Sequence, residues 1–222
     1  MNLEQTLRAR WSPKWAGRSE ITALHGHFDK ALIFAQAPAF KRTELRKSGH
    51  LSDKGVAREL RAHLAKNGVV AELRRSQAAV KAEGEAIKAQ RAALARPEVD
   101  KTDLRAELQR QEVRSYLRSL PMGERTAALT QTPDPLVFAA VLSAPAALSG
   151  VAPALLASVE RLYVETACKP QLEALEERQA ANELTAVALD YAVRSIEADS
   201  GLTPHAFQAW WAADGREEAE AA

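Results

Sequence analysis

Residues 51–96 read LSDKGVARELRAHLAKNG VVAELRRSQAAVKAEGEAIKAQRAALAR, a charged, alanine-rich stretch that predicts two consecutive helices, a helical arm. Ser52 or Asp53 provides the N-cap, because a short side-chain oxygen accepts hydrogen bonds from the free N–H groups of a first turn. Asn67 and Gly68 end the first helix, since both tolerate a left-handed backbone. We therefore expect a short helix, a tight turn and a long helix that stops before a proline.

The long helix carries apolar residues every seven positions, and small or polar residues lie between them. The line consists of Leu73, Val80, Ile87 and Leu94. Polar residues occupy the positions where a coiled coil places its second apolar residue, namely Ser76, Glu83 and Gln90. The apolar line is therefore narrow. Two interpretations remain open: the helix packs on its own domain, or these four residues contact a helix of another subunit.

The composition predicts an all-α protein. Of the 222 residues, 46% are apolar but only 5% are aromatic, and 13 Val and 4 Ile leave β-branched apolar residues scarce. Strong helix formers dominate instead. We expect an elongated multi-helix protein with long helices and short connections. The predicted domains are a basic N-terminal region with the arm, residues 1–97, and an acidic helical domain, residues 98–222.

The two halves of the chain differ in charge although the net charge is only +1. Residues 1–118 contain 24 Lys/Arg and 14 Asp/Glu, whereas residues 119–222 contain 6 and 15. Such a chain can attract a copy of itself or place its basic half on an acidic partner. A nucleic-acid-associated protein that uses residues 41–118 as a basic face is therefore the alternative hypothesis. Direct reading of DNA by a helix-turn-helix within residues 51–77 is a further, weaker hypothesis.

The single cysteine, Cys168, excludes an internal disulfide and a multi-cysteine metal site, and its helical context favours a small core residue. The polar start of the chain lacks the apolar region of a signal peptide, and no apolar run reaches the length of a membrane span. We therefore expect a protein of the cytoplasm or of an assembly.

Two aromatic groups are candidate anchor residues. Trp11 and Trp15 flank a proline near the start of the chain, and Trp210 and Trp211 follow Phe207 on one face of a short C-terminal helix. Large rigid aromatics either fasten a terminus to the core or concentrate the energy of an interface.

Between these regions, prolines and leucines predict further helices. Pro38 should end the helix that begins near Glu20. In the helix after residue 100, Leu104, Leu108, Leu117 and Leu120 mark the inward side, and Arg105, Arg110, Arg114 and Arg118 decorate the rest.

No motif predicts a catalytic, cofactor-binding or metal site. The chain contains neither a G-x-S-x-G nucleophile elbow nor a glycine-rich phosphate loop after a strand. The nearest metal motif is His25-Gly-His27, but a metal site needs three or four convergent ligands. We therefore expect no enzyme activity, no cofactor and no small-molecule substrate.

Two passages resemble known proteins. HLSDKGVAR at residues 50–58, which leads into a charged helix, resembles a recurrent segment in small proteins from the head gene clusters of tailed phages and prophages. Residues 129–151, with LSAPAALSG at 142–150 before a long helix, are similar to the C-terminal half of such proteins. The resemblance implies a structural or morphogenesis component without enzymatic chemistry. Its expected partners are itself and other virion or assembly proteins, without a membrane.

Overall fold

A computed structural model describes residues 3–47, 49–100, 102–131 and 134–216 of the chain. The regular structure of these residues is helical, which confirms the all-α prediction with its long helices and short connections. The helices are α1 (Leu3–Arg10), α2 (Ser19–Lys47), α3 (Asp53–Lys66), α4 (Val69–Leu94), α5 (Leu104–Ser119), α6 (Met122–Thr130), α7 (Pro135–Leu142), α8 (Ala146–Ser149), α9 (Pro153–Thr166), α10 (Lys169–Ser200) and α11 (Pro204–Ala212). A short 3-10 turn, Pro13–Trp15, follows α1.

The helices α3 and α4 form with the predicted signals at their ends. The Ser52 hydroxyl caps α3 by accepting a hydrogen bond from the backbone N–H of Gly55 at 3.2 Å. Asn67 is the C-cap, and Gly68 follows with a φ of +69°, a left-handed conformation that glycine adopts without steric cost. The turn between the two helices is therefore set by local sequence.

The chain divides into two compact units, which are described separately. Unit 1 comprises Met1–Glu85 and Glu177–Ala222, as far as these residues are described, and unit 2 comprises Ala86–Glu176. This division differs from the predicted domains 1–97 and 98–222. The reason is that the second part of α10 supplies Leu184, Ala188 and Ile196 to the core that α2 also lines.

The core of unit 1 is formed mainly by α2, α4 and the second part of α10, with α1, α3 and α11 around them. Its largest fully buried side chains are Leu7, Phe28, Leu32, Leu60, Leu64, Val70, Leu73 and Ile196. Hydroxyls join α10 to α2 inside this core: Ser195 donates to the carbonyl of Ala35 at 2.6 Å, and Thr185 donates to that of Leu24 at 3.4 Å. These bonds fix how α10 lies along α2.

The prediction that Pro38 ends its helix is wrong, because α2 continues to Lys47 with Pro38 buried inside it. A proline removes one backbone hydrogen bond from a helix. Here α10 holds the helix on both sides of the proline, through the Ser195–Ala35 bond before it and an Arg42–Asp199 ion pair after it.

Unit 2 has a smaller core between α5, α6, α7 and α9. It consists of Leu117, Leu129, Phe138, Val141, Val151 and Val159. Asp134 caps α7, since its carboxylate accepts from the N–H of Leu136 at 2.7 Å. Phe138 of α7 meets Tyr163 of α9 edge to face, with ring centroids 5.2 Å apart.

Candidate protein-interaction surface

The helix α5 in unit 2 carries the most unusual surface among the described residues. Asp103 caps it by accepting a hydrogen bond from the N–H of Ala106 at 2.9 Å, and the helix ends at Ser119, ahead of Pro121. One side of α5 packs on α7 and α8, and the opposite side is exposed. Leu117 lies inward and Arg105 and Arg118 are exposed, as predicted, but two leucines and two arginines lie on the opposite sides from those predicted.

The inward side of α5 contains two buried arginines. The side chains of Arg110 and Arg114 are each only 7% exposed, and both contact the Glu107 carboxylate. Arg114 also donates to the carbonyl of Ala140 at 3.1 Å. Ala140 lies in the last turn of α7, where helix carbonyls lack a partner within the helix. The hydrogen bonds from Arg114 and then Arg110 hold the pKa of Glu107 below its usual value.

The outward side of α5 contains the apolar residues. Leu104 is 71% exposed, Leu108 is 53% exposed and Tyr116 is 61% exposed. We call Leu104, Leu108 and Tyr116 the outward α5 patch. Met122, at the start of α6, is exposed as well. The described part of the chain therefore leaves this apolar surface of α5 exposed to solvent.

The prediction that Leu104 and Leu108 lie inward is therefore wrong, and so is the prediction that Arg110 and Arg114 lie outward. The position of Leu117 is a partial sequence signal for the true orientation, although it does not decide it alone. Leu117 is fully buried, and Arg110 and Arg114 precede it by seven and three positions, so all three share one helix face. The wrong prediction gave residue type more weight than this spacing.

Many cations of the predicted basic face, residues 41–118, contact acceptors of the same chain. Arg42 pairs with Asp199, Arg74 with Asp214 and Arg91 with Glu176. Arg118 donates to the carbonyl of Leu148. The first three pairs join the basic half of the sequence to its acidic half within a unit. The unequal charge distribution therefore serves contacts inside the chain, which weakens the argument for nucleic-acid binding.

The predicted contact line of α4 lies largely within the chain's own core. Leu73 and Val80 belong to the core of unit 1, Ile87 is buried, and Leu94 is partly buried. Leu73 and Val80 therefore pack on the chain's own helices and are not presented to another subunit. At Leu73 and Val80 this agrees with packing of α4 on its own domain, and contact of the line with another subunit stays a prediction.

Two polar positions along that line are satisfied by neighbouring helices. Ser76 is buried, and its hydroxyl lies 2.9 Å from Nδ1 of His27 on α2. Glu83 forms a two-point ion pair with Arg178 of α10, with Nη2 and Oε2 2.8 Å apart. The interruptions of the heptad pattern are thus specific contacts with α2 and α10.

The candidate aromatic anchors pack against the core of unit 1. Trp11 meets Trp15 edge to face at 5.0 Å and lies 4.7 Å from the ring of Phe28. Trp210 is buried, and Trp211 stacks on Phe207 at 5.6 Å. The tryptophans therefore fasten the first and last helices to the core.

The histidine motif does not form a metal site in the described part of the chain, where no three metal-ligating side chains converge. His27 contacts Ser76, and burial lowers its pKa. Cys168 is buried and its Sγ lies 3.8 Å from the carbonyl of Leu94, as expected for a small core residue.

One open groove of about 670 Å³ lies along the second half of α2 in unit 1. Two carboxylates that line it contact neighbouring cations: Glu44 accepts from Lys41 at 2.8 Å, and Glu4 pairs with Arg8 at 3.0 Å. The hydrogen bond from Lys41 lowers the pKa of Glu44.

Comparisons with known proteins do not assign the chain to a family. No protein-family model, no curated protein and no solved structure matches the chain. No helix within the described ranges is both long and apolar enough to cross a membrane.

Proposed function

We propose that this protein is a non-enzymatic structural or assembly protein, a virion or morphogenesis component of a tailed phage or prophage, that works through helix-mediated contacts with other protein chains. The observation that carries the contact role is the outward α5 patch. The phage setting comes from the resemblance of residues 50–58 and 129–151 to head-cluster proteins.

The patch has a physical reason to bind protein. Removing an exposed leucine side chain from water is worth about 1.5–3 kcal/mol, and a single exposed leucine is common on protein surfaces. Here two leucines and a tyrosine share the solvent side of one helix. The helix is fixed on its other side by the Arg114–Ala140 hydrogen bond, so its outward side chains start from a rigid support.

Photo-cross-linking tests the contact role. A photoreactive phenylalanine analogue replaces Tyr116, in cells that carry the gene, and a matched control places it at Glu165, an exposed position of α9 in the same unit. We expect a covalent protein adduct at position 116 that is absent at position 165. The adduct should disappear when Leu104 and Leu108 are both replaced by lysine. Equal labelling at both positions, or labelling that survives the lysine substitutions, would refute the contact role.

The phage setting has a separate test. Mass spectrometry of purified particles and of assembly intermediates should detect the chain as a component. Its absence from particles at every stage would remove the virion role and leave the contact role to be judged by the cross-links.

A further inference from the structure

We infer that the outward face of α5 binds the same face of a second copy of this chain, in an antiparallel arrangement around a two-fold axis next to Leu108. The inference rests on the proposed contact role and names the partner. It follows from the order of charged, large and small side chains along the exposed side of the helix.

Charge gives the first argument. Arg105 and Glu112 are both exposed, and they lie three positions before and four positions after Leu108. A two-fold axis between residues 108 and 109 places Arg105 of each copy beside Glu112 of the other. Two opposite-charge pairs therefore flank the apolar centre. A parallel pair in register would instead bring each charge close to its own equivalent, which is unfavourable.

Side-chain size gives the second argument. The exposed side of α5 is bulky at its start, with Leu104 and Leu108, and small near its end, with Ser115 and Ser119. The antiparallel arrangement places Leu104 of each copy close to Ser115 of the other, and Leu108 beside its own equivalent at the axis. A large side chain then meets a small one on either side of a central leucine pair, as in well-packed interfaces. A parallel pair would place Leu104 as well as Leu108 against its own equivalent.

Helix length sets the expected strength. The proposed axis brings residues 104–113 of the two α5 helices side by side, an overlap of about 15 Å. One such helix from each copy buries less than the roughly 1,200 Å² at which stable specific interfaces begin. We therefore expect weak association in dilute solution, with a Kd on the order of micromolar or above. Binding becomes effective where many copies are held together, because tethering raises the local concentration.

Cysteine cross-linking measures the geometry directly. In a Cys168→Ala background, Leu108→Cys places the two cysteines about 1.5 Å apart along the helix axis. Leu104→Cys places them about 14 Å apart along it, since each residue advances about 1.5 Å. A disulfide needs Cα atoms within about 7 Å. Glu165→Cys, away from α5, measures cross-linking by random collision.

After mild oxidation, we expect covalent dimers for Leu108→Cys, and only the collision background for Leu104→Cys and Glu165→Cys. Equal dimer formation at positions 104 and 108 would overturn the antiparallel arrangement. Leu108→Cys at the collision background would overturn the second-copy inference. If the Tyr116 adducts then contain a different protein, the contact role stands and only the identity of the partner is refuted.

Charge exchange in the natural background provides a test that does not depend on new cysteines. Arg105→Glu or Glu112→Arg alone turns both flanking pairs into like-charge pairs, and we expect the dimer Kd to rise about tenfold. The double variant restores both pairs, and sedimentation should return the Kd to near its original value. Additive weakening in the double variant would refute the pairing of Arg105 with Glu112.

Discussion

Replacing Leu73 by alanine measures whether the seven-residue apolar line of α4 is internal. Leu73 is 1% exposed and belongs to the core that α2, α4 and α10 share. Such a substitution loses the transfer free energy of the removed groups and leaves a cavity, and we expect it to lower the free energy of unfolding by about 3–5 kcal/mol. The same substitution at exposed Leu104 should change it by less than about 0.5 kcal/mol.

Tryptophan fluorescence during urea unfolding reports on the unit that contains Leu73. The four tryptophans of the chain all belong to unit 1 and pack in or against its core. With a urea dependence of about 1–3 kcal/mol per molar, this loss of about 3–5 kcal/mol should lower the midpoint by about 1–5 M in Leu73→Ala. Leu104→Ala, in unit 2, should leave the fluorescence midpoint unchanged.

The opposite result would restore the interpretation that α4 contacts another subunit. In that case Leu73→Ala would shift the urea midpoint no more than Leu104→Ala does. Light scattering would instead show a loss of oligomer mass. Since Leu73 and Val80 are covered by helices of the same chain, we expect no such loss of mass.

Three further substitutions test individual contacts. Burial lowers the pKa of His27 below its ordinary 6.5, so the unfolded chain binds this proton more readily than the folded chain. The contribution of neutral His27 to stability is therefore fully present above pH 6.5 and is lost as the pH falls through the lowered pKa. The urea midpoint should therefore fall less between pH 7.5 and pH 5.5 in His27→Gln than in the unchanged protein. An equal decrease in both proteins would contradict this. Glu83→Gln removes the carboxylate beside the half-buried Arg178 and should lower the free energy of unfolding by about 2 kcal/mol. Adding Arg178→Met should recover part of this loss. Fully additive effects in the double variant would show that the two side chains are not coupled. Gly150→Ala should lower the thermal midpoint, because Gly150 has a φ of +63° and an added Cβ would lie 3.2 Å from a neighbouring arginine side chain. As the control, an added Cβ at Gly123 in α6 meets nothing within 4 Å, so Gly123→Ala should raise the midpoint slightly. Equal effects of the two substitutions would refute the strain argument.

Local signals predicted the ends of α3 correctly, although Pro38 does not end α2. Ser52 and the turn at Asn67 and Gly68 act where the sequence placed them, because a cap needs only neighbours within four residues. The helical class followed from composition, because helix propensity is a property of individual residues.

What depends on distant residues was not predictable from one sequence. The orientation of α5 depends on the carbonyl of Ala140, 26 residues after Arg114, and the ion pair of Arg42 with Asp199 spans 157 residues. Hydrophobic spacing alone is compatible with two inward faces of α5, that of Leu104 and Leu108 and that of Val113 and Leu117. Only the position of α7 decides between them, and no local rule specifies it.

The two faces of α5 connect the fold to the proposed assembly role. Val113 and Leu117 give the helix an apolar inward side, and Leu104 and Leu108 give it a second apolar side that faces solvent. A rotation that buried Leu104 and Leu108 would expose Leu117 and remove the Arg114 donor from the carbonyl of Ala140. Leaving a buried carbonyl without a donor costs about 1–3 kcal/mol, which offsets much of the gain from burying a leucine. A helix with apolar residues on both sides needs a layer on both sides. Within unit 2 the chain supplies one of these layers, so the proposed antiparallel copy supplies the other.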